Sequence, residues 1–140
     1  MKGSLNLFGC TALTQLSDNL MVDGYLNLYG CTALTQLSDN LTVDGDLVLS
    51  GCTALMRLPD NLTVSSLDLS GCTSLTRLSE NLTVKGILYL SFCRSLIHLA
   101  YDLSIWGGVS VEGCSAGIIK SLKKRKKMGQ IKGKISRFGI

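Results

Sequence analysis

The sequence predicts a repeat solenoid whose coils stack through a parallel β-sheet, and three observations support this fold class. A Leu-x-Leu or Val-x-Val pair precedes every cysteine at one fixed distance, which is the alternation of a strand with one buried face. A unit of about 21 residues buries too little apolar surface to offset the entropy of ordering its chain, so the units have to stack. The six cysteines themselves recur at intervals of 21, 21, 20, 21 and 21 residues, at Cys10, Cys31, Cys52, Cys72, Cys93 and Cys114.

The repeat accounts for most of the 140 residues. Five and a half units cover residues 5–114, and residues 30–41 repeat residues 9–20 one for one. Such identity indicates recent duplication with little divergence toward a particular ligand. The predicted organisation is a solenoid over residues 1–114, a C-terminal capping helix over residues 115–128, and a mobile basic tail over residues 129–140.

Each unit starts with a strand and then has to return the chain to the edge where the next strand begins. The return, about 15 residues long, contains Thr, Ser, Asp and Asn and has no apolar stripe long enough for a helix. We therefore expect an extended, turn-rich return. A β-helix with additional short strands at residues 20–22 and their copies is the alternative.

The units resemble the leucine-rich repeat family. Residues 64–75 read Val-x-x-Leu-x-Leu-x-x-Cys-x-x-Leu, with cysteine at the position that asparagine often takes in that signature. Residues 58–62, Leu-Pro-Asp-Asn-Leu, are similar to a segment of the short bacterial type, which is frequent in effectors delivered by pathogens. The resemblance implies a sheet that lines a concave binding surface. The sequence departs from the family in an extra residue, usually glycine, before the strand, at Gly24, Gly45 and Gly86.

The cysteines suggest a structural ladder rather than a chemical site. They lack the Cys-x-x-Cys spacing of metal sites, so no metal or other cofactor is predicted. Parallel side chains on neighbouring rungs oppose disulfides. We expect buried, reduced thiols that each donate to a backbone carbonyl at the turn after the strand.

An asparagine also recurs in each of the first four units, before a Leu-x-Val segment. We expect its side chain to satisfy backbone donors in the turn, and the acidic residue before it to be a solvated charge. The four asparagines are Asn19, Asn40, Asn61 and Asn81.

The chain carries no recognisable catalytic motif, and we predict that it is not an enzyme and has no small-molecule substrate. There is no glycine-rich phosphate loop, serine elbow or His-Glu motif. The single histidine, His98, is expected at the surface, and an enzyme built on a ladder thiol is the weakest hypothesis.

The outward positions of the strands carry the predicted binding site. Four of the eight aromatic residues fall there, although leucine already fills nearly every inward site. Aromatic side chains dominate interface energies, so we predict that this face binds another protein. Cross-strand stacking that merely stabilises the sheet is the alternative. The predicted binding residues are Phe8, Tyr25, Asn27, Tyr29, Asp46, Asp68 and Tyr89.

The C-terminal region differs from the rest in charge. Residues 120–140 hold nine of the 14 basic residues and none of the 10 acidic ones, which leaves a net charge of −5 on residues 1–119. Residues 131–135 alternate Ile-Lys-Gly-Lys-Ile but are few, and we expect them to be mobile. An alternative function follows, an adaptor that binds nucleic acid or an anionic membrane. Its predicted contact residues are Lys123, Lys124, Arg125, Lys126 and Lys127, and a solvated basic tail without a ligand is the competing interpretation.

The predicted helix has an apolar side that would cover the open end of the stack, formed by Ile118, Ile119 and Leu122. The chain starts directly in a strand without a polar capping unit, so we expect a fragment, a degenerate copy, or self-association through the first rung.

We also expect no transmembrane segment and no signal peptide. Reduced thiols then favour the cytoplasm, or delivery by a route that needs no signal peptide.

Overall fold

The computed structural model describes residues 2–137 as a parallel β-solenoid of about five turns with one C-terminal helix, which confirms the predicted fold class. Every strand is two residues long. The elements of the described residues are, in chain order, β1 Leu5–Asn6, β2 Met21–Val22, β3 Leu26–Asn27, β4 Thr42–Val43, β5 Leu47–Val48, β6 Thr63–Val64, β7 Leu67–Asp68, β8 Thr83–Val84, β9 Leu88–Tyr89, β10 Ser104–Ile105, β11 Val109–Ser110, α1 Ala116–Lys127 and β12 Ile135–Ser136.

The main sheet contains seven parallel strands in the order β1-β3-β5-β7-β9-β11-β12. Each residue pairs with its equivalent one unit further on, as Leu26 does with Leu47. The backbone N–H of Leu47 donates to the carbonyl of Ser66 in the next coil at 2.9 Å, and this pattern continues along the stack. Strict equivalence of neighbours is what a sequence of near-identical units dictates.

The return segments are extended, as predicted, and they contain the additional short strands that we gave as the alternative. Strands β2 and β4 pair with each other, and β6, β8 and β10 form a third sheet. Isolated bridges join Gln36 to Arg57 and Arg77 to His98 further along the return. The return side is therefore held by backbone hydrogen bonds between coils.

The core is one continuous column of leucine, valine and cysteine side chains inside the coils. Leu47, Leu67 and Leu88 are completely buried, as are the cysteines of the second to fifth units. All six cysteines are free thiols. The predicted hydrogen bond is confirmed, and its acceptor lies in the preceding coil: Cys52 Sγ donates to the carbonyl of Leu28 at 3.1 Å.

The asparagines act differently from our prediction, because they bond mainly to each other across coils. Asn40 Nδ2 donates to Asn19 Oδ1 at 2.9 Å, and Asn81 Nδ2 donates to Asn61 Oδ1 at 3.0 Å. The backbone of Asn61 is left-handed, with φ of 63°, a conformation that asparagine tolerates better than most residues. The turn therefore selects asparagine through its backbone as well as its amide.

The prediction of a mobile tail over residues 129–140 is wrong for the described residues 129–137. Strand β12 pairs in parallel with β11, and Ile131 forms a bridge with Ile105. The reason is visible in the spacing: Ile131 and Ile135 are four residues apart, like Val22 and Leu26 where the first turn closes. Residues 138–140 of that predicted tail lie outside the described residues.

The last turn runs from Val109 to Ile135 and contains α1 in place of an extended return. Ser115 caps the helix, since its side chain accepts a hydrogen bond from the Ile118 backbone at 3.2 Å. The predicted apolar side is confirmed: Ile118, Ile119 and Leu122 are buried against the stack. Within residues 2–137, no helix has the length and apolar character needed to cross a membrane.

Candidate protein-binding face

The predicted binding residues lie on the outer face of the main sheet, which we call the sheet face. It consists of the outward side chains at and beside the seven strands. Because successive side chains of a strand point to opposite faces, the leucines fill the core and the residues between them are left outside. Leu26 and Leu28 are fully buried, whereas Asn27 between them is partly exposed.

Phe8 and Tyr29 form a stacked aromatic pair at one end of the sheet face. Their ring centroids are 5.3 Å apart and their planes differ by 9°. Stacking does not bury them, since Phe8 remains 62% exposed and Tyr29 48% exposed. Tyr25 is also exposed, but it has no ring contact among residues 2–137. Of these three predicted aromatic residues, two therefore form a stacked pair, and Tyr25 is exposed on the same face without taking part in it.

The backbone at each of the two aromatic residues is held by an asparagine side chain, a contact that was not among the predictions from the sequence. Asn27 Oδ1 accepts from the backbone N–H of Tyr29 at 3.0 Å, and Asn6 Oδ1 accepts from that of Phe8 at 3.0 Å. Asp68 makes the same bond to Ser70 at 2.9 Å. Asn and Asp side chains commonly accept a hydrogen bond from the backbone N–H two residues later in the chain. The spacing of Asn and aromatic residue is therefore the signal that could have revealed these bonds.

The remaining predicted residues form a second group beside the first. Asp46, Asp68 and Tyr89 line a shallow depression of about 240 Å³ together with Val48 and Ser66. Asp46 Oδ1 also accepts from the backbone N–H of Ser66 at 3.0 Å. The seven predicted residues are thus divided into an aromatic group and an acidic group along one continuous sheet.

The repeat itself shows that the fold does not require aromatic rings at these positions. The positions equivalent to Phe8 and Tyr29 carry serine in the next three coils, at Ser50, Ser70 and Ser91. The backbone pairing is the same in those coils, and their core is fully buried, whereas Leu5 and Leu7 of the first coil are only partly buried. The main sheet therefore forms in three coils without aromatic rings at these positions.

The five predicted basic contact residues do not form a single patch, because they lie on α1 and point in different directions. The Arg125 guanidinium donates to the carbonyls of Ala100 and Tyr101. Lys126 Nζ donates to the carbonyl of Gly133 at 2.6 Å. Two of the five cations therefore bind the helix to neighbouring segments. The other three, Lys123, Lys124 and Lys127, are exposed.

A smaller basic surface remains at the end of the stack. An open depression of about 660 Å³ contains Ile135 and is lined by Lys123, Lys126, Lys127 and Lys134. Lysines beside an edge strand oppose pairing with another sheet, which gives this cluster a structural role as well.

The acidic residues of the return were predicted to be solvated charges, and two of them also form ion pairs with arginines. Asp39 lies 3.1 Å from the Arg57 guanidinium, and Glu80 lies 3.1 Å from that of Arg77. Both pairs are largely exposed, and such pairs contribute little stability.

The single histidine, His98, is exposed, as predicted. Among residues 2–137, no group of three or more His, Cys, Asp or Glu is placed to hold a metal ion.

The buried thiols have chemistry unlike that of a catalytic cysteine. Burial raises the pKa of Cys52 to about 11 and that of Cys93 to about 12. Burial raises the pKa of Cys72 as well. These thiols stay protonated at neutral pH, whereas a nucleophile needs the thiolate.

The chain matches no family model, and no curated protein or solved structure is significantly similar to it. The resemblance to leucine-rich repeats therefore rests on the repeat period and on the residues at fixed places within each unit.

Proposed function

We propose that this chain is a non-enzymatic interaction module of the leucine-rich repeat type, which binds another protein through the sheet face. One observation carries the proposal: the stacked pair of Phe8 and Tyr29 is exposed at positions where the next three coils have serine. Exposed aromatic rings on a rigid support lose little conformational entropy when a partner covers them, and they are enriched among residues that dominate binding.

Further features support a protein partner. The acidic depression at Asp46, Asp68 and Tyr89 continues the sheet face beyond the aromatic pair. Together they offer an apolar part and a polar part side by side on one face, and protein interfaces commonly combine both. The resemblance to the short bacterial repeats extends the proposal to an effector or a part of one, and free thiols fit a reducing compartment.

The test replaces the two rings by the residue that the repeat itself uses. Phe8→Ser combined with Tyr29→Ser should leave the melting temperature nearly unchanged, because both side chains are exposed. It should weaken binding to a partner captured by the intact chain by about 2 kcal/mol or more, roughly thirtyfold. Titration of the purified partner measures the loss.

Met56→Thr is the matched control, since Met56 is exposed on the return side and the equivalent residues Thr35 and Thr76 are threonine. This variant should bind the partner like the intact chain. Equal binding by the double serine variant would refute the sheet face as the binding site.

We propose a second candidate function, binding of nucleic acid or an anionic membrane, because four lysines converge around Ile135. Lys123→Glu combined with Lys127→Glu should then abolish salt-sensitive binding to an oligonucleotide or to anionic vesicles. Binding that is absent in the intact chain, or insensitive to salt, would end this candidate.

A further inference from the structure

A second groove lies on the return side, between the return of the fifth unit and α1. We call it the return groove. It has a volume of about 390 Å³, and the residues that line it include Ile97, Tyr101, Lys124, Arg125 and Met128.

The return groove exists because the fold changes there from stacked extended segments to a helix. Neighbouring returns bond through their backbones, as when Ile97 N–H donates to the carbonyl of Thr76 at 2.9 Å. A helix satisfies its backbone groups internally, so it cannot continue this ladder. Side chains take over: Gln130 Nε2 donates to the Tyr101 carbonyl at 2.8 Å, and Arg125 donates to the same carbonyl. The helix is thus attached by side chains, with a groove between the two segments.

The groove exposes apolar groups that the fold does not need. Tyr101 is 82% exposed, and Ile97 and Met128 are also largely exposed. In all four earlier returns the residue equivalent to Tyr101 is acidic. Those residues are Asp18, Asp39, Asp60 and Glu80. The fifth unit therefore replaces a carboxylate by an aromatic ring at the one return that borders the helix.

The charge of the groove is one-sided. Lys124 and Arg125 line it, and none of its lining residues carries a carboxylate. The nearest acid along the chain, Asp102, uses its Oδ1 to accept from the Asn81 backbone on the neighbouring coil at 2.7 Å. Loss of the repeated acid at position 101 removes the negative charge that the other returns place there.

We propose that the return groove binds a peptide segment of another protein in which an apolar side chain is flanked by carboxylates. The apolar side chain packs between Ile97, Tyr101 and Met128, and the carboxylates pair with Lys124 and the exposed part of Arg125. Charge complementarity selects this occupant over a neutral or basic peptide. The site is separate from the sheet face, so a partner can contact one without the other.

The test is a selection of random displayed peptides on the intact chain, followed by titration of the enriched peptides. We expect enrichment of sequences that place a large apolar residue next to Asp or Glu. Tyr101→Asp restores the residue type of the other units, and it should raise the Kd of these peptides about tenfold or more. Lys124→Glu should do the same, and added salt should weaken binding.

Two controls separate this site from others. Lys85→Glu changes the charge equally at an exposed site elsewhere, and it should leave the affinity unchanged. The double serine variant of Phe8 and Tyr29 should also bind the enriched peptides normally, which distinguishes failure here from failure of the sheet face. Enrichment of peptides without acidic residues, equal affinity for Tyr101→Asp, or binding of anionic vesicles in place of peptides would overturn the proposal.

Discussion

The cysteine in the turn after each main-sheet strand of the repeat combines two roles that few side chains could fill together. Its volume completes the apolar column, and its Sγ donates to a leucine carbonyl of the preceding coil, at 3.1 Å for Cys72 and Leu49. The thiol is a weak donor and a small hydrophobic group, so it satisfies the carbonyl without burying a strongly polar atom. Burial of the protonated thiol links the stability of the fold to pH.

The predicted consequence is a loss of stability in alkali. The pKa of Cys52 in the fold is about 11, above its ordinary value of 9.0, so the fold favours the protonated thiol. This contribution is complete below about pH 9 and disappears as the pH rises through 11. Urea unfolding at about pH 8 and about pH 10.5 should show a fall in unfolding free energy, and the fall should be smaller in Cys52→Ala. An identical fall in both proteins would contradict the linkage, because all other titrating groups are shared.

At the scale of elements, the corners between the return and the main sheet are as decisive as the strands. The backbone of Gly45 lies directly on that of Gly24, and its N–H donates to the Gly24 carbonyl at 3.0 Å. A Cβ at Gly45 would lie 2.8 Å from that carbonyl carbon and oxygen. Close stacking therefore favours glycine at this corner, and Ser65 continues the same ladder in the unit that is one residue shorter.

A pair of glycine substitutions tests this account. Gly45→Ala should lower the unfolding free energy by about 1–3 kcal/mol, because the backbone has to move. Gly117→Ala should raise it by up to ~1 kcal/mol, because Gly117 lies in α1 and a Cβ there meets nothing within 4 Å. Urea denaturation measures both. A harmless Gly45→Ala would show that the corners are not packed as described.

Most elements could be predicted from the sequence, and the exceptions have physical reasons. The strands followed from a period that five units repeat, and α1 followed from its apolar side. The closing strand β12 was missed because the helix lengthens the last turn and lysines surround the two isoleucines. Only the spacing of Ile131 and Ile135 preserves the signal.

The candidate sites, too, could be predicted from the sequence only in part. Alternation along the strands placed Phe8 and Tyr29 on one face, but their stacking depends on the register of neighbouring coils. The sequence could not reveal that Arg125 fastens α1 to the fifth return, because that contact joins residues 24 and 25 positions apart. The return groove was missed for the same reason, since it exists only where the helix meets the last extended return.

At the scale of the whole molecule, the chain is a column in which each coil contacts only its neighbours. Stability in such a column is the sum of unit and interface terms, so no coil persists alone. The same geometry supplies two separate surfaces, the sheet face and the return groove, on the two sides of one core. Both proposals depend on this stacking, because it sets the register that brings their residues together.

Nuclear Overhauser contacts between backbone protons of the unmodified chain test the stacking most directly. Leu47 should contact residues beside Leu67, and Leu67 should contact residues beside Leu88, with strands about 4.8 Å apart. The predicted result is a continuous series of parallel contacts between residues 20 or 21 positions apart from the first strand to β11, and a final contact between Val109 and Ile135. Contacts between antiparallel segments, or contacts without the period of the repeat, would contradict the account.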